Sequence, residues 1–149
     1  MTTEHPTDRS GLEVLSFDEC LQLLAAVPVG RVGLVADGEI AVLPVNHVLD
    51  GQDPVFLTGR GSKLSAAEQQ NVAAFEADYF DEQTRTGWSV LVTGHAEVIY
   101  EEAEIDRLSR YGLHPWPSAA QHPVWMRIRA ISVTGRRIPS SSDRSGPRG

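Results

Sequence analysis

Residues 54–78 read PVFLTGRGSKLSAAEQQNVAAFEAD, and this stretch decides how the rest of the chain is organised. It predicts a strand, a polar turn, a short helix over Leu64–Gln70 and a second strand over Val72–Phe80. Two glycines in the turn allow backbone N–H groups to point at an anion, and the helix that follows places its positive end there. The stretch therefore predicts an anion site between two strands.

The side chains of this turn are those that a phosphate group requires. Lys63 is the only lysine among 149 residues, and Arg60 and Ser62 add a guanidinium and a hydroxyl. The Walker spacing and the Rossmann glycine pattern are both absent, so the turn belongs to neither of those nucleotide sites. A solvated polar connection between strand and helix remains the alternative that spacing by itself leaves open.

Charge and hydropathy exclude several classes of function. The formal net charge is −7 and the isoelectric point is about 5.1, which opposes general attraction to nucleic acid. No apolar run approaches the roughly 18 residues that span a bilayer, so we expect no membrane insertion. Residues 1–11 lack the basic and apolar segments of a secretory signal, and we expect a cytoplasmic protein.

Metal and disulfide chemistry are not expected. Cys20 is the one cysteine, so an intrachain disulfide is excluded, and its place in a helical apolar stripe predicts a buried structural thiol. The five histidines show no HxH or HExxH spacing. No metal site is therefore predicted. Serine, histidine and aspartate show no pattern typical of a hydrolase, and hydrolysis has no support.

The remaining pattern predicts one domain over residues 13–138, with flexible polar tails at 1–12 and 139–149. Ser16 and Glu19 form a capping box that starts a first helix, and a second helix is predicted over Glu101–Tyr111. Six strands are predicted, at 31–36, 39–49, 54–58, 72–80, 88–100 and 124–138. This order indicates a mainly β, α+β domain built on an antiparallel barrel.

Two strand positions are irregular, and one of them begins a candidate ligand segment. Gly94 predicts a bend or bulge, and Pro44, which lacks an N–H group, predicts an edge, a bulge or a place where the ladder opens beside a ligand. After Pro44 come Val45, Asn46 and His47, which could contact the polar edge of a flat heterocycle. A water-facing edge strand is the plainer interpretation of the same residues.

The segments PVNH, VFLTGRGSKL, VAAFEAD, GWSVLVTGHAEVI and VWMRIRAISVTGRRI, in that order, resemble the pyridoxamine 5′-phosphate oxidase-like family of flavin-binding split barrels. The resemblance covers roughly Leu15–Ile138, and within the family it is strongest toward the nitroimidazole-resistance reductases. It implies a six-stranded antiparallel split barrel that forms a homodimer. It also implies two FMN sites in clefts that both subunits share.

The same resemblance assigns residues to the flavin. Members of the family bind the flavin phosphate at this turn and at the end of the strand that leads into it. They bind the isoalloxazine ring along another strand, and residues of the GWS segment contact the flavin of the partner subunit. The corresponding residues here are Thr58, Arg60, Ser62 and Lys63 for the phosphate, Pro44, Val45 and Asn46 for the ring, and Trp88 and Ser89 for the partner's flavin. Arg127 is a weaker match, as is Arg129. His47 departs from the tyrosine that many relatives carry, and the C-terminal arginines that bind vitamin B6 substrates have no match here.

These residues lead to one main hypothesis and two alternatives. The main one is an FMN-dependent oxidoreductase that moves hydride or electrons from a nicotinamide donor to a small organic acceptor, with His47 delivering the proton. The first alternative is a binding or sensor protein that holds a flavin, a deazaflavin or haem, with His47 or His95 as an axial ligand. The second is a dimer with an empty cleft.

Overall fold

The computed structural model describes residues 5–59, 71–114 and 122–140, and these residues form seven strands and two helices. The strands are β1 (Glu13–Val14), β2 (Val29–Ala36), β3 (Glu39–Asp50), β4 (Asp53–Gly59), β5 (Asn71–Asp81), β6 (Thr86–Val98) and β7 (Pro123–Ile138). The helices are α1 (Phe17–Ala26) and α2 (Glu102–Ser109). All six predicted strands and both of these helices are present. The predicted helix over 64–70 lies outside the described residues.

The strands form one antiparallel sheet that closes on itself. Its order is β1-β7-β4-β3-β2-β5-β6, and a further pairing joins β6 to β7 along almost their whole length. Six strands therefore make a closed barrel, and the two-residue strand β1, which the sequence pattern missed, is added at the end of β7. The predicted mainly β, six-stranded antiparallel split barrel is confirmed.

Local sequence signals explain the helix and hairpin boundaries. Ser16 accepts a hydrogen bond from the Glu19 N–H while the Glu19 carboxylate accepts one from the Ser16 N–H, so the predicted capping box starts α1. Asp37 and Gly38 both adopt positive φ, at 52° and 77°. Two such residues in a row make the tight turn that joins β2 to β3.

Both irregular strand positions are structural features of the barrel. The register between β6 and β7 shifts at Thr93 and Gly94. A Cβ on Gly94 would lie 2.0 Å from the Arg129 carbonyl oxygen, so glycine is required where the two strands approach. Pro44 pairs with Arg31 of β2, whereas β3 pairs with β4 only from His47 onward. The ladder therefore opens beside Pro44, as its missing N–H group predicts.

Two clusters of buried side chains stabilise the fold. The larger fills the barrel and includes Phe56, Phe75, Met126 and the thiol of Cys20, which is fully buried as predicted. The smaller lies outside the barrel, where α2 packs Leu108 against β4 and β7. The barrel interior is thus packed with side chains, and one part of its outer surface is covered by a helix.

Segment 5–12, part of the expected N-terminal tail, contacts the domain. His5 Nε2 lies 2.7 Å from the Glu19 carboxylate, and Arg136 donates a hydrogen bond to Asp8 at 3.1 Å. Thr7 forms an isolated bridge with Glu13. Among the described residues, no helix has the length and apolar character needed to cross a membrane.

Candidate functional site

The outer face of β2, β3 and β5 is an exposed apolar surface. Ile40 is 81% exposed and Val42 63% exposed on β3, and Val72 on β5 is 74% exposed. Between them Gly33 pairs with Val42 on one side and with Ala74 on the other, and a Cβ at Gly33 would meet no atom of the described residues within 4 Å. Small residues flanked by exposed aliphatic ones make a flat, open platform, which is typical of a surface that binds a ligand or a protein.

The segment Pro44–Val45–Asn46 runs along one side of this platform. Pro44 is exposed on the outer face, and Asn46, also directed outward, is half-buried and donates a hydrogen bond from its Nδ2 to the His114 carbonyl oxygen at 3.0 Å. The Val45 side chain is 3% exposed and belongs to the barrel core. Only the backbone of Val45 can therefore face a ligand on this surface, because strand side chains alternate between the two faces.

The predicted phosphate turn begins where β3 and β4 separate. Their last paired residues at this end are His47 and Phe56, and beyond them Thr58 and Gly59 pair with β7 instead. Thr58 is buried at the end of β4. Arg60, Ser62 and Lys63 follow directly and lie outside the described residues. The strand that leads into the turn is therefore adjacent to the Pro44–Asn46 segment, on the side where the ladder opens.

His47 lies on the opposite face of β3, inside the barrel. Its side chain is 4% exposed, and its ring packs edge-on against Phe75 with the ring centroids 4.8 Å apart. Nε2 donates a hydrogen bond to the Leu24 carbonyl oxygen at 2.9 Å, and Nδ1 is buried with no partner in the described part of the chain. Burial lowers the pKa of His47. The hydrogen bond to the Leu24 carbonyl raises it, but by less than burial lowers it.

This position does not fit proton delivery or axial ligation by His47. Pro44 and Asn46 face outward, and His47, at the next inward position, faces the core. A group bound on the outer platform would be separated from the imidazole by the strand itself. His47 is a core residue whose hydrogen bond satisfies a carbonyl near the C-terminal end of α1, where helical carbonyls lack intrahelical partners.

Trp88 and Ser89 lie beside a shallow apolar cleft of about 250 Å³. Ser89 is exposed on the outer face, while Trp88 is half-buried and packs against the barrel core. The floor of the cleft includes Gly87, where a Cβ would lie 2.5 Å from the Tyr79 carbonyl oxygen. Phe80, 55% exposed, is on its wall. The structure brings Trp88 and Ser89 together at an open apolar surface.

Arg127 is held in a network of carboxylates on the α2 side of the barrel. Its guanidinium donates hydrogen bonds to Asp50 at 2.8 Å, Asp53 at 3.0 Å and Glu104 at 2.9 Å, and the residue is 9% exposed. Burial opposes its charge, but the hydrogen bonds to these aspartates raise the pKa of Arg127. The flavin-binding role expected of Arg127 does not fit, because these three carboxylates already bind its guanidinium.

The same network determines the charge of Asp50. Arg107 donates two hydrogen bonds to this carboxylate, at 2.7 and 2.6 Å, and Tyr111 donates a third at 3.0 Å. Arg107 and then Arg127 hold the pKa of Asp50 well below its usual range. The residues of this network are far apart in the chain. The sequence pattern indicated only that Arg127 lies on the same face of its strand as Trp125 and Arg129. The network joins α2 to the β3–β4 hairpin.

Glu76 is a polar residue of the platform that the sequence pattern did not single out. It faces outward on β5, opposite Arg31 of β2, and burial and the nearby Asp78 raise its pKa to about 7. The acidic run Asp78–Glu82 is most simply a solvated surface, and Glu76 precedes it within an apolar strand. A single carboxylate within an otherwise apolar strand is the sequence signal from which Glu76 could have been identified.

Fold and site together define an antiparallel split barrel with an open apolar platform, and comparisons with known proteins give its family. The family model described as pyridoxamine 5′-phosphate oxidase matches residues 16–137. The uncharacterized protein Rv0080 of Mycobacterium tuberculosis is 40% identical over 134 residues, which cover 86% of each chain. A solved structure described as the FAD binding protein from Mycobacterium smegmatis is 35% identical, with a TM-score of 0.73, and covers 85% of this chain and 99% of that one.

The chain therefore belongs to the pyridoxamine 5′-phosphate oxidase family, and the predicted family is confirmed. The expected likeness to the nitroimidazole-resistance branch is confirmed at the level of the fold. A Bacteroides thetaiotaomicron structure described as a candidate 5-nitroimidazole antibiotic resistance protein has a TM-score of 0.64 at 15% identity, and covers 91% of this chain and 96% of that one.

Proposed function

We propose that this protein binds a flavin nucleotide, FMN, and uses it to move hydride or electrons from a nicotinamide donor to a small organic acceptor such as a quinone or a nitroaromatic. The observation that carries the proposal is family membership over residues 16–137 combined with 35% identity to a protein described as FAD-binding. A bound flavin would supply the redox chemistry, and the protein would supply binding, orientation and proton transfer.

The platform fits a flat aromatic ring. Gly33 and Ala74 leave its floor open, Pro44 lies exposed at its side, and the buried Oε1 of Glu76 has no hydrogen-bond partner among the described residues. An aromatic ring would cover apolar surface there and could bring a polar atom to that carboxylate. Arg60, Ser62 and Lys63 are the residues we assign to the phosphate, because they directly follow β4 in the sequence, and β4 ends beside the same opening.

We further propose that two copies of the chain share the site. Ile40 and Val42 leave a large apolar area exposed to water, and a second copy of the same face would cover it. In that arrangement Ser89 of one subunit would contact the flavin that lies along Pro44–Asn46 of the other. Burial of exposed aliphatic side chains would stabilise the pair by about 25 cal/mol per Å² of apolar surface removed from water.

Flavin titration tests this function directly. The purified protein, freed of cofactor, should quench the fluorescence of added FMN, and chromatography of the flavin extracted from freshly purified protein separates FMN from FAD. Arg60→Ala combined with Lys63→Ala should weaken FMN binding at least tenfold without unfolding the barrel, because each cation would contact the phosphate. The matched control removes two exposed charges elsewhere, Arg9→Ala with Arg110→Ala.

Three results of that titration would count against the proposal. Absence of flavin uptake by the folded wild-type protein would refute it. Equal FMN affinity in the wild type and in the Arg60 and Lys63 variant would refute the phosphate assignment alone. A haem Soret band in place of flavin bands would favour the sensor alternative.

A further inference from the structure

Glu76 lies between the two segments that the proposed function assigns to the flavin. In the sheet register it is directly opposite Arg31, and Arg31 is in turn opposite Pro44 on β3. Two residues further along β5, Asp78 is opposite Ser89 of β6. Alternate residues of neighbouring strands share a face, so the two carboxylates and Arg31 lie on the outer face, next to Pro44 on one side and Ser89 on the other.

In this group a single arginine lies beside two acidic side chains. Arg31 Nη1 lies 3.5 Å from Asp78 Oδ2 and 3.9 Å from Glu76 Oε2, so one guanidinium serves two carboxylates. Glu76 Oε1 is buried and has no hydrogen-bond partner among the described residues, although the side chain as a whole is 34% exposed. A buried carboxylate oxygen without a donor favours the protonated acid, which can itself donate.

Among the described residues, the sheet register shows which charged groups face Glu76. Strand β2 contributes Arg31, and β5 contributes Asp78, whereas β6 presents the uncharged Leu91 and Ser89. Burial raises the pKa of Glu76 most, and the neighbouring Asp78 raises it further. Arg31 lowers the pKa by less than these two effects raise it, so the pKa is about 7. This carboxyl group therefore holds and releases a proton near neutral pH, which is what a general acid requires.

We propose that Glu76 delivers the proton of the flavin reaction. The proposal rests on the proposed function. In the overall reaction the reduced nicotinamide gives up a hydride, and the quinone takes up two electrons, that hydrogen and one further proton to become the hydroquinone. The O–H bond of Glu76 breaks to supply the further proton, and its carboxylate recovers a proton from water.

Steady-state turnover tests the assignment in the FMN-loaded protein, with NADH as donor and menadione as acceptor from pH 5.5 to 9. Glu76→Gln should lower kcat at least tenfold, since a positioned acid contributes roughly 10²-fold or more. It should also remove the decline of kcat above neutral pH, while Glu76→Asp keeps a titrating profile at a lower rate. Glu102→Gln, an exposed carboxylate on α2, is the matched control and should leave kcat and its pH profile unchanged.

A second readout needs no turnover. In flavin-free protein labelled with ¹³C at the glutamate carboxyl groups, one resonance should titrate near neutral pH, vanish in Glu76→Gln and shift when FMN is added. A Glu76 resonance that titrates in the ordinary glutamate range would overturn the proposal. So would a Glu76→Gln protein that holds FMN and keeps wild-type turnover and pH profile.

Failure of the proposed function would look different from failure at Glu76. A wild-type protein that takes up no flavin removes the function and this inference together. A flavin-loaded wild type with no turnover removes the reaction to which Glu76 would contribute. Normal flavin uptake and turnover with an unaffected Glu76→Gln variant leaves the function standing and refutes Glu76 alone.

Discussion

The Nε2 atom of His47 donates a hydrogen bond to the carbonyl oxygen of Leu24 at 2.9 Å, joining the inner face of β3 to the C-terminal turn of α1. The backbone N–H of His47 donates to the Pro28 carbonyl oxygen at 3.0 Å, so the same residue also fixes the chain just after the helix. His47 thus organises the helix and barrel contact, while the outward neighbours Pro44 and Asn46 remain on the candidate ligand surface.

We expect His47→Leu to destabilise the fold by about 1–3 kcal/mol, because the Leu24 carbonyl loses its buried donor. The native pKa of His47 lies below the value of 6.5 expected in the unfolded chain, so on acidification the unfolded state takes up the proton first. Wild-type stability should therefore fall as the pH drops below about 6.5, and His47→Leu should lose this component. Urea unfolding at pH 7.5 and 5.5 measures both effects.

The control for His47 is His122→Leu, an exposed histidine that should leave stability and its pH dependence close to wild type. Equal acid sensitivity of the wild type and His47→Leu would contradict the buried neutral imidazole.

Arg127→Met should cost about 3–5 kcal/mol, since it removes the buried arginine that pairs with Asp53 and one of the two arginines that pair with Asp50 and Glu104. Arg129→Met is the matched control, because its side chain is 64% exposed and pairs with Glu97 at the surface, where such pairs contribute at most about 1 kcal/mol. Thermal unfolding compares the two variants. FMN affinity of the folded Arg127→Met protein should equal that of the wild type, and a selective loss of FMN would restore Arg127 to the flavin site.

Gly94→Ala should destabilise the barrel by about 1–3 kcal/mol or more, because its Cβ would meet the Arg129 carbonyl oxygen, a backbone atom that cannot turn aside. Gly33→Ala provides the comparison, since its Cβ has open space, and it should be neutral or stabilising by up to about 1 kcal/mol. Denaturant midpoints of the two variants give the difference. Similar midpoints for both would show that the strands can separate at the bulge.

Val42→Asp should convert the proposed dimer into a monomer, because it places a carboxylate in the centre of the exposed apolar face. Tyr100→Asp, at a residue 69% exposed just after β6, should leave the oligomeric state unchanged. Light scattering at micromolar concentration measures the mass. A wild-type monomer that binds FMN tightly would refute the shared site, and a dimeric Val42→Asp would move the interface to another face.

The sequence predicted much of this fold because its signals are local. The Ser16 and Glu19 capping box, the Asp37–Gly38 turn, the proline at 44 and the glycine at 94 each act over a few residues, and each lies where its own chemistry requires. The order of the strand segments then sufficed to identify the family.

Which residues of a strand face the core could not be predicted equally well from the sequence. The β3 segment reads IAVLPVNHVL, in which apolar residues follow one another with little alternation. A pattern of this kind does not state whether Asn46 or His47 points into the core. Closure of the barrel decides it, because α1 supplies a carbonyl on the inner side and the platform lies on the outer side.

Alone, then, the sequence determined the element order, the family and the candidate turn Arg60–Lys63, since propensities, turns and motifs are carried by neighbouring residues. The tertiary structure decided which charges meet. Arg127 is 77 positions from Asp50, and Glu76 is 45 positions from Arg31, so no local pattern could pair them. Electrostatic energy depends on distance and burial, and only the folded barrel fixes these for Arg127 in its carboxylate network and for Glu76 beside Arg31.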